Sequence, residues 1–132
     1  MGENVMPPTD DQLTAAFNMA MAKGPENLTG VDRDYYLIQD FILEWENGAL
    51  TGYLYNRIPS FDLIQATIGA MRRQGLTELA TILGEAVKLF DGYREPHPPT
   101  TWGAIVAQYD SEDGLAGLDE RITQLRNYGL AK

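Results

Sequence analysis

The chain has 132 residues, which fits a single domain around one core and excludes two full domains. Nineteen acidic residues against ten basic ones give a net charge of −9, and a chain so acidic repels nucleic acid phosphates and anionic membrane surfaces. Because the sequence has no cysteine, disulfides, thiolate zinc sites and cysteine nucleophiles are also excluded.

The sequence of the N-terminal region indicates a leader followed by a capped helix. Residues 1–8 end in two prolines and are interpreted as a flexible leader, so that residues 9–132 form the domain. Thr9 and Gln12 have the spacing of a capping box, and the helix that they begin is predicted to end at Gly24. The leader lacks the basic start and apolar block of a signal peptide, and no apolar run reaches the ~18 residues that a membrane helix needs. We therefore expect a cytoplasmic protein without membrane contact.

Two helices separated by a turn are predicted next. Asp32 lies near the start of the second helix, and apolar residues recur at helical spacing behind it. Asn47-Gly48 is predicted to form the turn, and residues 49–57 a short third helix. The apolar face of the second helix consists of Tyr35, Ile38, Phe41, Ile42 and Trp45.

The second half of the chain predicts four further helices. Apolar residues at intervals of three and four indicate helices over residues 61–75 and 76–90. A short helix is predicted over 101–109, after a proline-rich loop, and a last one over 115–129. Because no stretch alternates apolar and polar residues over a useful length, no strand is predicted. The predicted fold is all-α, a single compact domain of about six to seven helices.

Few residues suggest catalysis. The single histidine, His97, lies between prolines that favour an extended loop, so a solvated loop residue is a simpler interpretation than a general base or metal ligand. Neither Ser60 nor Ser111 lies in a nucleophile-elbow pattern. Carboxylate pairs are plentiful, and a solvated acidic face explains each of them without acid–base chemistry. We predict no catalytic residue, no metal site and no cofactor.

The negative charge is concentrated in the first half of the chain. Residues 1–66 contain ten acids and three bases, whereas residues 67–132 contain nine acids and seven bases. An acidic surface that serves binding would take a basic protein as its partner. We predict a partner-binding acidic face that consists of Asp32, Asp34, Asp40, Glu44 and Glu46.

One segment is more specific than helical periodicity. Residues 46–56 resemble the signature Glu-Asn-Gly-Gly-Phe-x-Gln-Tyr-x-x-Asn of a bacterial DNA-mimic-protein-like family. The likeness extends over about residues 35–128, and residues 118–121 are similar to the start of the family's C-terminal helix. The matching residues of the signature are Glu46, Asn47, Gly48, Tyr53 and Asn56, and the differing ones are Ala49, Leu50 and Gly52.

The resemblance implies an all-α homodimer whose carboxylates stand in for DNA phosphates and occupy the DNA-binding face of a basic transcription regulator. Asn47, Gly48, Tyr53 and Asn56 are interpreted as structural, with Asn47-Gly48 forming the turn and Asn56 bonding a backbone end. The leading hypothesis is a non-enzymatic module that binds a basic protein and no nucleic acid. Two alternatives stay open. One is an immunity or adaptor protein for a basic partner. The other is an enzyme or small-ligand binder with a pocket around residues 45–56, converging on Asn47, Tyr53 and Asn56.

Overall fold

The computed structural model describes residues 6–57, 61–90, 99–109 and 114–131, and these residues are helical almost throughout. An isolated parallel β-bridge joins Thr9 to Ala131. The all-α prediction is therefore confirmed. Within the described residues the α-helices are α1 (Asp10–Lys23), α2 (Gly30–Arg57), α3 (Phe61–Arg73), α4 (Thr77–Lys88), α5 (Pro99–Gln108) and α6 (Leu115–Gln124), with short 3-10 turns at Pro25–Asn27 and Arg126–Gly129.

Helix α1 begins with the predicted capping box. The hydroxyl of Thr9 accepts a hydrogen bond from the backbone N–H of Gln12 at 3.2 Å, and the Gln12 side chain accepts one from the backbone N–H of Thr9 at 2.9 Å. These bonds satisfy amides that a helix start leaves without partners. The helix ends at Gly24, whose φ of 92° suits a residue without a Cβ.

Helix α2 is a hairpin rather than one straight rod. Ala49 has φ 58° and ψ −164°, which interrupts the helix between residues 30–48 and 50–57. Arg57 contacts Asp40 at 2.9 Å, although a continuous helix would separate these two positions by about 25 Å. Hereafter the two parts of α2 are called the helical hairpin. The two predicted helices are present, but the residue that leaves the helical conformation is Ala49 and not the predicted Asn47-Gly48.

The core lies where the helical hairpin meets the other helices. The hairpin contacts α1, α3, α5 and α6, while α4 closes the core from the side of α3 and α6. The rings of Phe41 and Tyr53 meet edge to face across the hairpin, with centroids 4.8 Å apart. Other buried side chains include Leu13, Ile38, Leu50, Leu54, Ile64, Met71, Leu79, Leu83, Val87 and Ile122.

The two ends of the described chain lie side by side. Pro8 is buried, and its carbonyl oxygen accepts a hydrogen bond from the backbone N–H of Ala131 at 2.9 Å. Residues 1–5 of the predicted leader lie outside the described residues, as do His97, Ser60 and Ser111. Within the described part of the chain, no helix combines the length and the apolar character needed to cross a bilayer.

Candidate functional site

Three of the predicted acidic residues lie along the outer side of α2. Asp40 and Glu44 are partly exposed, one helical turn apart, and both meet the guanidinium group of Arg57. Arg57 donates two hydrogen bonds to Asp40, at 2.9 and 3.2 Å, and one to Glu44 at 3.3 Å. Asp32 lies further toward the start of the helix and is also partly exposed. The hairpin thus presents more carboxylates than cations at this position.

The Arg57 guanidinium is held mainly by Asp40. Its pKa is raised above its usual range, first by the hydrogen bond to Asp40, which outweighs the opposing effect of burial. The charge of Glu44 acts in the same direction. Two carboxylates share one guanidinium here, so the group keeps a net charge of −1 and a fixed geometry.

Asp34 lies on the buried side of α2. Only 6% of the residue is exposed, and its carboxylate accepts hydrogen bonds from Arg73 at 2.7 and 2.9 Å and from Gln74 at 3.0 Å. Burial opposes its ionisation, but the hydrogen bonds and the charge of Arg73 outweigh burial and hold the pKa of Asp34 below its usual range. The contact joins α2 to the end of α3. The structure therefore places Asp34 in a structural ion pair, away from the predicted acidic face.

Glu46 lies at the end of the hairpin that faces the C-terminal segment. Its carboxylate accepts a hydrogen bond from the hydroxyl of Tyr128 at 2.6 Å. Burial, the hydrogen bond to Glu46 and the charges of Glu46 and Asp10 all raise the pKa of Tyr128 above its usual range. The hydrogen bond from Tyr128 thus joins the hairpin to the C-terminal segment.

The carboxylate of Asp119 contacts the helical hairpin at its interruption. One oxygen of its carboxylate accepts a hydrogen bond from the indole N–H of Trp45 at 2.9 Å and another from the backbone N–H of Leu50 at 2.9 Å. Leu50 is the first residue after Ala49, so its N–H is one of the amides that a new helix leaves without an internal partner. A carboxylate at this position also interacts favourably with the helix dipole.

The family-signature residues occupy different environments. Tyr53 is 1% exposed, and this burial raises the pKa of its phenol above its usual range. Asn56 donates a hydrogen bond to the carboxylate of Glu44 at 2.9 Å rather than to a backbone end. The side chain of Asn47 is exposed, as is Gly48. Tyr53 thus belongs to the core while Asn47 faces solvent, which does not favour a shared pocket.

A shallow cleft lies beside the acidic group of the hairpin. It has a volume of about 390 Å³ and is lined by Pro25, Tyr36, Leu37, Asp40, Asn56, Arg57 and Leu63. The described residues contain no group of three or more histidine, aspartate or glutamate side chains arranged to hold a metal ion. Carboxylates, an amide and a guanidinium in fixed positions suit ionic recognition of another molecule.

Two residues of this region were not found by reasoning from the sequence. Tyr128 carries no pattern that indicates a bond to Glu46, which is 82 residues away. Asp119 belongs to the segment that resembles the family's C-terminal helix, and that likeness was the available signal. Its role as an acceptor for Trp45 and Leu50 depends on packing between distant segments, which helical periodicity cannot predict.

One comparison with known proteins found a match. The family model described as DMP19-like protein matches residues 26–131, a span that contains the whole helical hairpin, Asp119 and Tyr128. No curated protein and no solved structure matches the chain. Since the match covers well over half of the sequence, the chain belongs to the DMP19-like protein family.

Proposed function

We propose that this protein is a non-enzymatic, acidic binding module that mimics DNA and occupies the DNA-binding face of a basic regulator. The proposal is supported by a row of exposed and partly exposed carboxylates that follow one another along the first part of α2, in a chain of the DMP19-like family. These carboxylates belong to Asp32, Asp40, Glu44 and Glu46. Asp34 is left out of the row because its carboxylate is buried against Arg73.

The length of this row can be compared with DNA. Asp32 and Glu46 are separated by about 21 Å along the helix, a distance over which one strand of a duplex carries about six phosphates. The hairpin offers four carboxylates, and Arg57 offsets one of them. Along the helix axis the row therefore has about half the charge of a DNA strand.

A second copy of the chain would lengthen the charged surface. The net charge of −9 compares with about 20 phosphates on a duplex as long as one compact chain, whose diameter is about 36 Å. A two-fold homodimer doubles both the charge and the length over which it is presented. We therefore propose a homodimer as the active form, acting in the cytoplasm on a protein partner and not on nucleic acid.

The proposed mechanism is competition for cationic side chains. Arginine and lysine residues of the regulator that contact phosphates would contact the hairpin carboxylates instead, and arginine can do so through two parallel hydrogen bonds. The carboxylates are held in place before binding, because Arg57 and Asn56 fix Asp40 and Glu44. Affinity should fall steeply as salt concentration rises, since ions screen such contacts.

Capture followed by DNA displacement tests this function. The protein is immobilised, bacterial lysate is passed over it, and bound proteins are eluted with a salt gradient and identified. A captured DNA-binding protein is then placed on its own DNA site, and we expect the free chain to displace that DNA. Elution of partners that are basic but do not bind DNA would instead support an adaptor or immunity role.

Matched charge variants make the test specific. Asp40→Asn with Glu44→Gln removes two charges from the hairpin while keeping acceptors for Arg57, and we expect roughly tenfold weaker displacement. Glu78→Gln with Glu85→Gln removes the same charge from α4 and should leave displacement almost unchanged. Equal losses in the two double variants would contradict the proposed binding face.

A further inference from the structure

The C-terminal segment meets the helical hairpin at its interruption through four contacts. Asp119 accepts hydrogen bonds from Trp45 and Leu50, the hydroxyl of Tyr128 bonds Glu46, and the rings of Trp45 and Tyr128 meet edge to face with centroids 5.7 Å apart. These contacts surround Ala49, which has a conformation that residues with a Cβ rarely adopt. The interruption is thus fixed by a segment about 70 residues further along the chain.

The interruption determines where the second part of the hairpin lies. Residues 50–57 carry Asn56 and Arg57, which hold Glu44 and Asp40 from across the hairpin. The first amide of this part, that of Leu50, has no earlier turn of its own helix to bond to, and Asp119 supplies its acceptor. A change at Asp119 should therefore move residues 50–57, and with them the side chains that contact Asp40 and Glu44.

We propose that Asp119 is a positioning residue, which sets the direction of residues 50–57 and thereby the arrangement of Asp40 and Glu44 with Arg57. Asp119 itself lies in α6 and reaches this surface only through Leu50 and Trp45. The link from this arrangement to partner binding rests on the proposed function. The positioning itself is a property of the free protein.

Amide hydrogen exchange measured by NMR on the full chain tests the proposal. The amide of Leu50 reports the bond directly, because it donates to a carboxylate oxygen of Asp119 at 2.9 Å. In Asp119→Ala we expect the Leu50 amide to exchange roughly tenfold faster or more, while amides of α3 and α4 keep their protection. Glu120→Gln, which removes a neighbouring charge, should leave all of these rates unchanged.

Two conservative variants separate geometry from charge. Asp119→Asn keeps an acceptor oxygen at the same distance and loses the charge, so Leu50 should stay within a few-fold of wild type. Asp119→Glu keeps the charge and moves the oxygen by one methylene, so Leu50 should exchange as fast as in the alanine variant. This pair decides the question even if the alanine variant does not fold.

Fluorescence provides an independent readout. The chain has two tryptophans, so Trp102→Phe leaves Trp45 as the single emitter. Asp119→Glu in this background should shift the emission to longer wavelength, whereas Asp119→Asn should not. Wild-type protection of Leu50 in both the alanine and glutamate variants, or equal acceleration in α3, α4 and the hairpin, would overturn the proposal. Because no partner enters these measurements, their failure would leave the proposed function standing.

Discussion

Replacing Ala49 with glycine should stabilise the protein. Ala49 interrupts the helical hairpin with φ 58° and ψ −164°, at the edge of a region of backbone conformation that is populated almost only by glycine. In this conformation the Cβ of an L-residue crowds the adjoining backbone. The family signature has glycine at this position, and in this chain alanine replaces it. The methyl group therefore adds strain that the rest of the fold must offset.

The size of the effect follows from two opposing contributions. A residue with a Cβ in this region costs about 1–3 kcal/mol of folding free energy. Glycine loses more conformational freedom on folding than alanine, which returns about 0.4–1 kcal/mol. The free energy of unfolding should thus rise by about 1 kcal/mol in Ala49→Gly. For a domain of this size, that difference raises the melting temperature by about 2–5 °C.

Thermal and urea unfolding measure the free energy of unfolding of Ala49→Gly. The same substitution at a second alanine, Ala15, is the control. Ala15 is exposed within α1, where the backbone is helical, so Ala15→Gly should lower the free energy of unfolding by about 1 kcal/mol. Opposite signs for the same substitution at the two positions would isolate the backbone conformation as the cause. If Ala49→Gly lowers stability as Ala15→Gly does, the strain argument is refuted.

Other predictions concern the buried polar groups and the core. Asp34→Ala should lower the free energy of unfolding by about 1–3 kcal/mol, because it removes the hydrogen bonds that a buried carboxylate accepts from Arg73 and Gln74. The folded-state pKa of Asp34 is depressed, so its contribution is present above pH 3.8, its ordinary pKa, and is lost as pH falls through the lower folded value. Urea midpoints of wild type and Asp34→Ala should therefore converge in acid. Phe41→Ala should cost about 3–5 kcal/mol in the same assay, because the ring is fully buried, and a smaller loss would show that the core refills the space.

Local rules were sufficient for the helices and for some of their ends. The capping box at Thr9 and Gln12 lies at the first turn of α1, as its spacing predicts, because both partners are within one helical turn. The predicted turn at Asn47-Gly48 was one residue early. Turn rules assign a positive φ to glycine or asparagine. In this fold the residue with the positive φ is Ala49, next to the hydrogen bonds that Asp119 accepts from Leu50 and Trp45.

The predicted acidic face could be only partly located from sequence. Asp34 follows the spacing of the apolar face, since Ile38 and Phe41 are four and seven residues further on, so a stricter use of periodicity would have placed it inward. Its partner Arg73 is 39 residues away and could not be inferred, because no local rule pairs distant helices. The contact of Arg57 with both Asp40 and Glu44 could not be inferred either, because it joins the two parts of the hairpin.

The contacts between the hairpin and the C-terminal segment also constrain how the protein is made. Trp45 and Asp119 are 74 residues apart in the chain, and synthesis at 5–20 residues per second needs roughly 4–15 s to cover that interval. During this time the nascent chain carries the hairpin sequence without the carboxylate that caps Leu50 or the hydroxyl that bonds Glu46. The contacts that order the interruption therefore form only after Asp119 and Tyr128 have been added, and the hairpin lacks them for seconds after its own synthesis.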